Sequence, residues 1–263
     1  MNRAAVSAAR ALLFVPGNRP DRFAKAVATG ADLVVLDLED AVAPDGKARA
    51  RAEADAWLAA GGQAVVRINA AGTGWFAEDL AMVRRHGCPV MVPKAEDPVV
   101  LHEIPGPVIA LLETARGIDS ARVVCEVPAV VRAAFGSVDL AAELGVQPDD
   151  HLALAYARSQ VVLASAVAGI APPLDGVTVA VRDAGALAAD IEHGKRLGFT
   201  GKLCVHPGQV DAVRAGFSPS AEELGWARRV LAAAAHGDVT VVDGRMVDKP
   251  VLDRARRLLE AGS

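Results

Sequence analysis

The chain has 263 residues, 52% hydrophobic but only 4% aromatic, so a sizeable core built mainly from Ala, Val and Leu is expected. A formal net charge of −4 excludes a general nucleic-acid or membrane-surface binder, and no stretch approaches the roughly 20 apolar residues that span a bilayer. Cys88, Cys125 and Cys204 are widely spaced without a CxxC pair, which fits reduced thiols in a cytoplasmic protein better than a disulfide framework.

At the start, Arg3 and Arg10 precede "ALLFV", an apolar run too short for a signal peptide and ended at once by Pro16-Gly17. Arg and Ala recur throughout the chain, so this Arg- and Ala-rich opening is weak evidence for an organelle-targeting segment. Eight strands are predicted: Leu12–Val15, Leu33–Leu38, Ala64–Ile68, Val90–Val92, Val108–Leu112, Val131–Phe135, Gly176–Val181 and Leu203–Val205. Helical patterns such as "PDRFAKAVATG", "GKARARAEADAWLAAG" and "DDHLALAYARSQVVLASAVAG" alternate with them. The strands are continuously apolar, as a sheet buried on both faces requires. This pattern predicts a (β/α)8 TIM barrel over residues 1–217, with a doubly wound sheet as the alternative. Residues 218–263 read as a short helix-hairpin-helix appendage with a turn at Asp243-Gly244.

In a barrel the C-terminal strand ends form the active face. Here they supply Asn18 and Arg19; Asp37, Glu39 and Asp40; Arg67 and Asn69; Lys94 and Glu96; Glu113; Gly136, Ser137, Val138 and Asp139; and His206. Glu113 and Asp139 end neighbouring strands, and two hard oxygen ligands suit Mg2+ or Mn2+. The competing reading has Glu113 capping the next helix or pairing with Arg116. Arg67 follows buried valines, where a guanidinium grips a carboxylate or steadies an oxyanion, or pairs with Asp37 or Glu39. Asp37, Glu39 and Asp40 are expected mainly to orient Arg67, Lys94 or metal-bound water, with Glu39 or Asp40 as a candidate ligand or base. "FVPGNRP" is a weak phosphate-binding signal through Arg19, which reads equally well as a surface residue. His206, a lone His before Pro, reads as structural.

Taken together, "LFVPGNRPDRFAKA", "DLVVLDLEDAV", "VVRIN", "VMVPKAE", "IALLETARGI", "FGSVDLAAELG", "KLCVHPGQV" and "GRMVDKPVL" resemble the citrate lyase β-subunit-like proteins of the HpcH/HpaI aldolase superfamily. The resemblance spans nearly the whole chain and supports the barrel. It implies Mg2+ on Glu113 and Asp139, chelated by a 2-oxo acid, with Arg67 contacting that acid and the enolate oxygen of a thioester. It also implies a substrate pocket including Gly136, Ser137 and Val138, and a CoA or phosphopantetheine contact at Asn18 and Arg19. The implied reaction is a retro-Claisen cleavage of a 3-hydroxyacyl thioester of CoA or an acyl carrier. The implied assembly is a homo-oligomer, trimer or hexamer, whose appendage packs on a neighbouring subunit and supplies Asp248 as base. Asp40 is a further catalytic candidate. Where some relatives carry an acid before the second ligand, this chain has Val138. The rivals are a citrate lyase β subunit acting on a carrier protein, a thioester-independent aldolase, and a non-catalytic metabolite-binding or assembly subunit. The aldolase relatives lean on a catalytic His, and no His stands at the ends of strands 1 to 5.

Overall fold

The computed structural model describes residues 1–234 and 240–262. It divides into two compact units, Met1–Arg214 and Ala215–Ser263. The first contains α1 (Arg3–Ala8), β1 (Ala11–Pro16), α2 (Phe23–Val27), β2 (Leu33–Asp37), α3 (Lys47–Ala59), β3 (Val65–Arg67), α4 (Phe76–His86) and β4 (Val90–Val92). It continues through α5 (Pro98–His102), β5 (Val108–Leu112), α6 (Ala115–Asp119), α7 (Ala121–Cys125), β6 (Val130–Phe135) and α8 (Ser137–Leu144). Then come α9 (Ala155–Ala168), β7 (Ala171–Asp175), α10 (Ala184–Leu197), β8 (Gly201–Cys204) and α11 (Val210–Phe217), whose last residues pass into the second unit. Strands β1 to β8 pair in parallel in sequence order, and β8 closes on β1, giving a (β/α)8 barrel.

Seven of the eight strands fall on or within a few residues of their expected positions; the seventh is a correction. Gly176–Val181 was expected from its β-branched residues, but β7 is Ala171–Asp175, containing Pro172 and Pro173. Proline removes a ladder donor and argues against a central strand. The chain tolerates it because the carbonyls still serve: Pro172 accepts from Arg132 Nε at 2.8 Å and Pro173 from the Thr200 amide. The β6–β7 register shifts at this point. The "VTVAV" run lies beyond the strand as loop, with the Thr178 carbonyl held by Gln209.

The barrel interior is packed by inward side chains: Leu33 and Val35 from β2, Val65 from β3, Met91 from β4, Ile109 and Leu111 from β5, Leu174 from β7 and Leu203 from β8. Val6 and Ala9 join this cluster, so α1 lies against the N-terminal mouth. Arg132 of β6 is fully buried there, donating to the carbonyls of Val6, Ala9 and Pro172 and to Thr200 Oγ1. Burial draws its guanidinium down to about 9, against the opposing charge of Asp32.

A second polar cluster sits between the barrel wall and α9 and α10. Asp175 of β7 accepts from Arg158 of α9 at 2.9 Å, and Lys202 of β8 stands 3.7 Å from Asp175 and 3.6 Å from Asp190 of α10. His151 Nε2 donates to Asp190 Oδ1 at 2.9 Å, and its ring stacks on His193 with centroids 3.9 Å apart.

The second unit holds α12 (Ala221–Ala234), an antiparallel hairpin of β9 (Thr240–Val242) and β10 (Arg245–Val247), and α13 (Lys249–Ala261). Asp243 and Gly244 both take positive φ at the hairpin turn. Ala227, Val230, Val247 and Ala255 form its core.

Candidate active site

Strand alternation explains how the charged groups reach the mouth. Side chains two residues apart share a face, so the inward columns Leu33-Val35-Asp37, Val65-Arg67 and Ile109-Leu111-Glu113 each run from apolar core to a charged top residue. A carboxylate at the end of β5 is therefore the last inward position of a buried strand. The β2–β3 register sets Asp37 directly beside Arg67.

Asp37 grips one edge of Arg67: Nε donates to Oδ1 at 2.8 Å and Nη2 to Oδ2 at 2.6 Å. The Asp37 carboxylate also accepts the Glu39 and Ala41 amides, which fixes it in turn. Phe14 packs on the guanidinium face 4.7 Å from Cζ. Arg67 Nη1 stands 3.2 Å from Glu39 Oε2 and 4.0 Å from Asp40 Oδ2. Burial opposes the charge on Arg67, but Asp37, Glu39 and Glu113 outweigh it and hold its pKa above the ordinary value.

Glu113 is 2% exposed; Oε1 accepts the Lys94 amide at 3.0 Å. Burial, then the charges of Glu39 and Asp139, push its pKa up to about 8 despite Arg67 and Lys94. Neither competing role is seen. Thr114, not Glu113, caps α6, and Arg116 lies nearest Glu96 at 3.9 Å. Gly136 makes room for Glu113: a Cβ there would stand 2.3 Å from Glu113 Cβ and 2.6 Å from Oε2. Ser137 is buried as the first residue of α8, Val138 is exposed, and Asp139 is half-buried in the first helical turn.

Lys94 and Glu39 complete the cluster, with Nζ 2.5 Å from Oε1. Glu39 is 5% exposed and its Oε2 lacks a hydrogen-bond partner, as does buried Asn69 Oδ1. Burial raises the Glu39 pKa against the pull of Arg67 and Lys94. The sequence pointed to Asp37, Glu39 and Asp40 as acids that orient Arg67 or Lys94; the structure puts Asp37 and Glu39 against Arg67 and Glu39 against Lys94.

The other candidates stand apart. Asp40 is exposed, and its nearest cation is Arg67 at 4.0 Å. Arg19 is exposed and paired with Asp21 at 2.9 Å, while Asn18 is half-buried beside it. His206 Nδ1 accepts the Gly208 amide in a capping box, the structural role expected. Asp248, in the second unit, is an exposed N-cap of α13 whose Oδ1 accepts the Val251 amide at 3.2 Å.

This donor set suits a hard divalent cation. Glu113 and Asp139 interact electrostatically, and Glu39 Oε2 nearby makes no hydrogen bond. Burial, followed by the charges of Glu39 and Asp139, disfavours the Glu113 carboxylate, an arrangement that a divalent cation would relieve. Among the described residues no three carboxylate, imidazole or thiolate groups form a closed cage.

The HpcH/HpaI aldolase/citrate lyase family model matches residues 10–207. A citrate lyase subunit beta-like protein of Deinococcus radiodurans is 39% identical, covering 95% of this chain and 96% of the relative. A (3S)-malyl-CoA thioesterase of Cereibacter sphaeroides is 34% identical over 95% of this chain and 93% of its own. The crystal structure of CitE from Mycobacterium tuberculosis with magnesium, acetoacetate and coenzyme A superposes with a TM-score of 0.86 at 37% identity, covering 97% of this chain and 99% of that one. The chain belongs to the HpcH/HpaI aldolase/citrate lyase family.

Proposed function

We infer that this protein is a Mg2+-dependent carbon–carbon lyase that splits a citramalyl-, malyl- or citryl-type CoA thioester into an acetyl thioester and a 2-oxo acid. The observation that carries this reading is buried Glu113, set among Asp139, Glu39, Lys94 and Arg67 at the C-terminal mouth of the barrel. A CitE structure binds magnesium with coenzyme A, and other structures of that Mycobacterium tuberculosis protein hold magnesium with the 2-oxo acids oxaloacetate or pyruvate, which supports this reading.

Glu113 and Asp139 would hold Mg2+, which when bound supplies Lewis-acid polarisation of the substrate oxygens. The chain's own groups do the rest. Asp37 fixes the plane of Arg67 on one edge, so Nη1, which now stands 3.2 Å from Glu39 Oε2, is the nitrogen proposed to meet oxygens of the oxo acid or the thioester enolate. A base takes the hydroxyl proton, the C–C bond breaks, and its electron pair enters the thioester enolate, which takes a proton at carbon. Asp248 of a neighbouring subunit is the proposed base, with Asp40 as the candidate within the chain. The reading includes a homo-oligomer, trimer or hexamer, and a CoA contact near Asn18 and Arg19. The substrate carboxylate rests near the Gly136-Ser137-Val138 turn. No described helix is long and apolar enough to cross a membrane, and the proposed setting is the cytoplasm.

The test is incubation with Mg2+ and citramalyl-, malyl- and citryl-CoA, with products read by mass spectrometry. Lysis gives acetyl-CoA with pyruvate, glyoxylate or oxaloacetate. Release of free CoA and the intact hydroxy acid instead identifies a thioesterase, the activity named for the Cereibacter relative. No turnover on CoA esters but turnover on a citryl carrier protein identifies a citrate lyase β subunit.

A further inference from the structure

Lys94 has a φ of 47°, a left-handed conformation shared among the described non-glycine residues only by Asp243 in the hairpin turn. Glycine would adopt it without penalty. The Lys94 amide donates to Glu113 Oε1 at 3.0 Å, a bond that glycine would also make. Strain kept at a reactive mouth points to the side chain as its reason. What lysine adds is an ammonium 2.5 Å from Glu39 Oε1 and 4.0 Å from Glu113 Oε1.

Glu39 is the group this ammonium controls. It is 5% exposed and acts electrostatically on Glu113; its Oε2 makes no hydrogen bond and has Arg67 Nη1 at 3.2 Å, so Lys94 is the group that holds Oε1. Released from Lys94, Glu39 would join Glu113 and Asp139 as a third carboxylate available to a cation. Among the described residues no three carboxylate, imidazole or thiolate groups are now placed to hold a cation together. An octahedral cation held by fewer protein oxygens keeps positions for substrate oxygens.

We propose that Lys94 is a positioning residue that withholds Glu39 from the divalent cation, keeping coordination positions open for the oxo acid. This rests on the Mg2+ reading above. It gives a reason for a lysine at a position where glycine is the relaxed choice.

The test compares wild type with Lys94→Gly, Lys94→Met and Lys94→Arg. Mg2+ affinity is measured by calorimetry on substrate-free protein, pyruvate affinity with saturating Mg2+, and thermal stability by melting. Loss of a cation near Glu113 and release of Glu39 should tighten Mg2+ binding about tenfold in the Gly and Met variants. The same variants should bind pyruvate about tenfold more weakly, because open coordination positions are lost. Lys94→Gly should melt no lower than wild type, since it relieves the left-handed strain. Lys94→Arg should restore both affinities toward wild type. Unchanged or weaker Mg2+ binding in the Gly and Met variants overturns the proposal, as does unchanged pyruvate binding. Wild type that binds no Mg2+ overturns this proposal and the metal reading together. The opposed affinity shifts in a protein without lyase activity sustain the role of Lys94 and overturn only the proposed reaction.

Discussion

Arg67 is already committed on one edge, so its replacement has a specific consequence. Arg67→Lys keeps a charge but loses the two parallel bonds to Asp37 that fix its plane. Turnover of the preferred CoA ester should fall about 10²-fold or more, by analogy with an oxyanion donor. Steady-state kinetics decides this; near wild-type turnover reduces Arg67 to an internal ion-pair partner. At Gly136 the backbone φ of −100° suits any residue, and the constraint is space alone. Gly136→Ala drives a methyl into Glu113, which must move. The expected result is at least a tenfold loss of Mg2+ affinity by calorimetry, with a stability cost of about 1–3 kcal/mol from overpacking. Full Mg2+ affinity in that variant would show that Glu113 can shift without leaving its site.

At the scale of single elements, the helix cap at Asp248 separates two roles. Asp248→Asn keeps an N-cap of equal quality, so the melting temperature should stay unchanged, whereas Asp248→Ala should cost about 1 kcal/mol. If Asp248 is the base, Asp248→Asn should abolish cleavage yet leave Mg2+-dependent oxo-acid binding intact. The element scale also shows what one sequence can and cannot reveal. Hydrophobic periodicity announces Glu113 and Asp37 because continuous runs such as "VIALL" end abruptly in an acid. It misplaces β7, because its prolines look prohibitive while the β-branched run beyond looks ideal. That Glu39 and not Asp37 or Asp40 takes Lys94, and that Lys94 adopts a positive φ, depends on loops beyond the strands, a relation without a sequence period.

For the whole molecule, shared sites and pH are the accessible tests. Mixing Asp248→Asn with Glu113→Ala subunits should restore part of the activity if the base crosses an interface, since some mixed interfaces combine both intact residues. Failure to complement after proven subunit exchange places the base within one chain. The histidine cluster predicts a pH effect on folding. Burial, then the positive charges of His151 and Arg158, lower the His193 pKa from 6.5, and Nε2 has no partner among the described residues. The unfolded chain therefore takes up this proton at higher pH than the folded one. The contribution is fully present above pH 6.5 and is lost as the pH falls through that value and the lower folded one. Urea unfolding across this range should lose stability more steeply in wild type than in His193→Gln; parallel curves remove His193 as the cause.

The buried guanidinium of Arg132 has a consequence for the order of assembly. Its acceptors come from the first nine residues and from the segments around Pro172 and Thr200, separated from it by up to 126 positions. None is satisfied by local structure, so Arg132 stays in water until early and late parts of the chain have met. The barrel thus carries its own proof of closure. Half-built forms must keep a cation hydrated at the seam, and only the finished ring replaces that water with carbonyl oxygens.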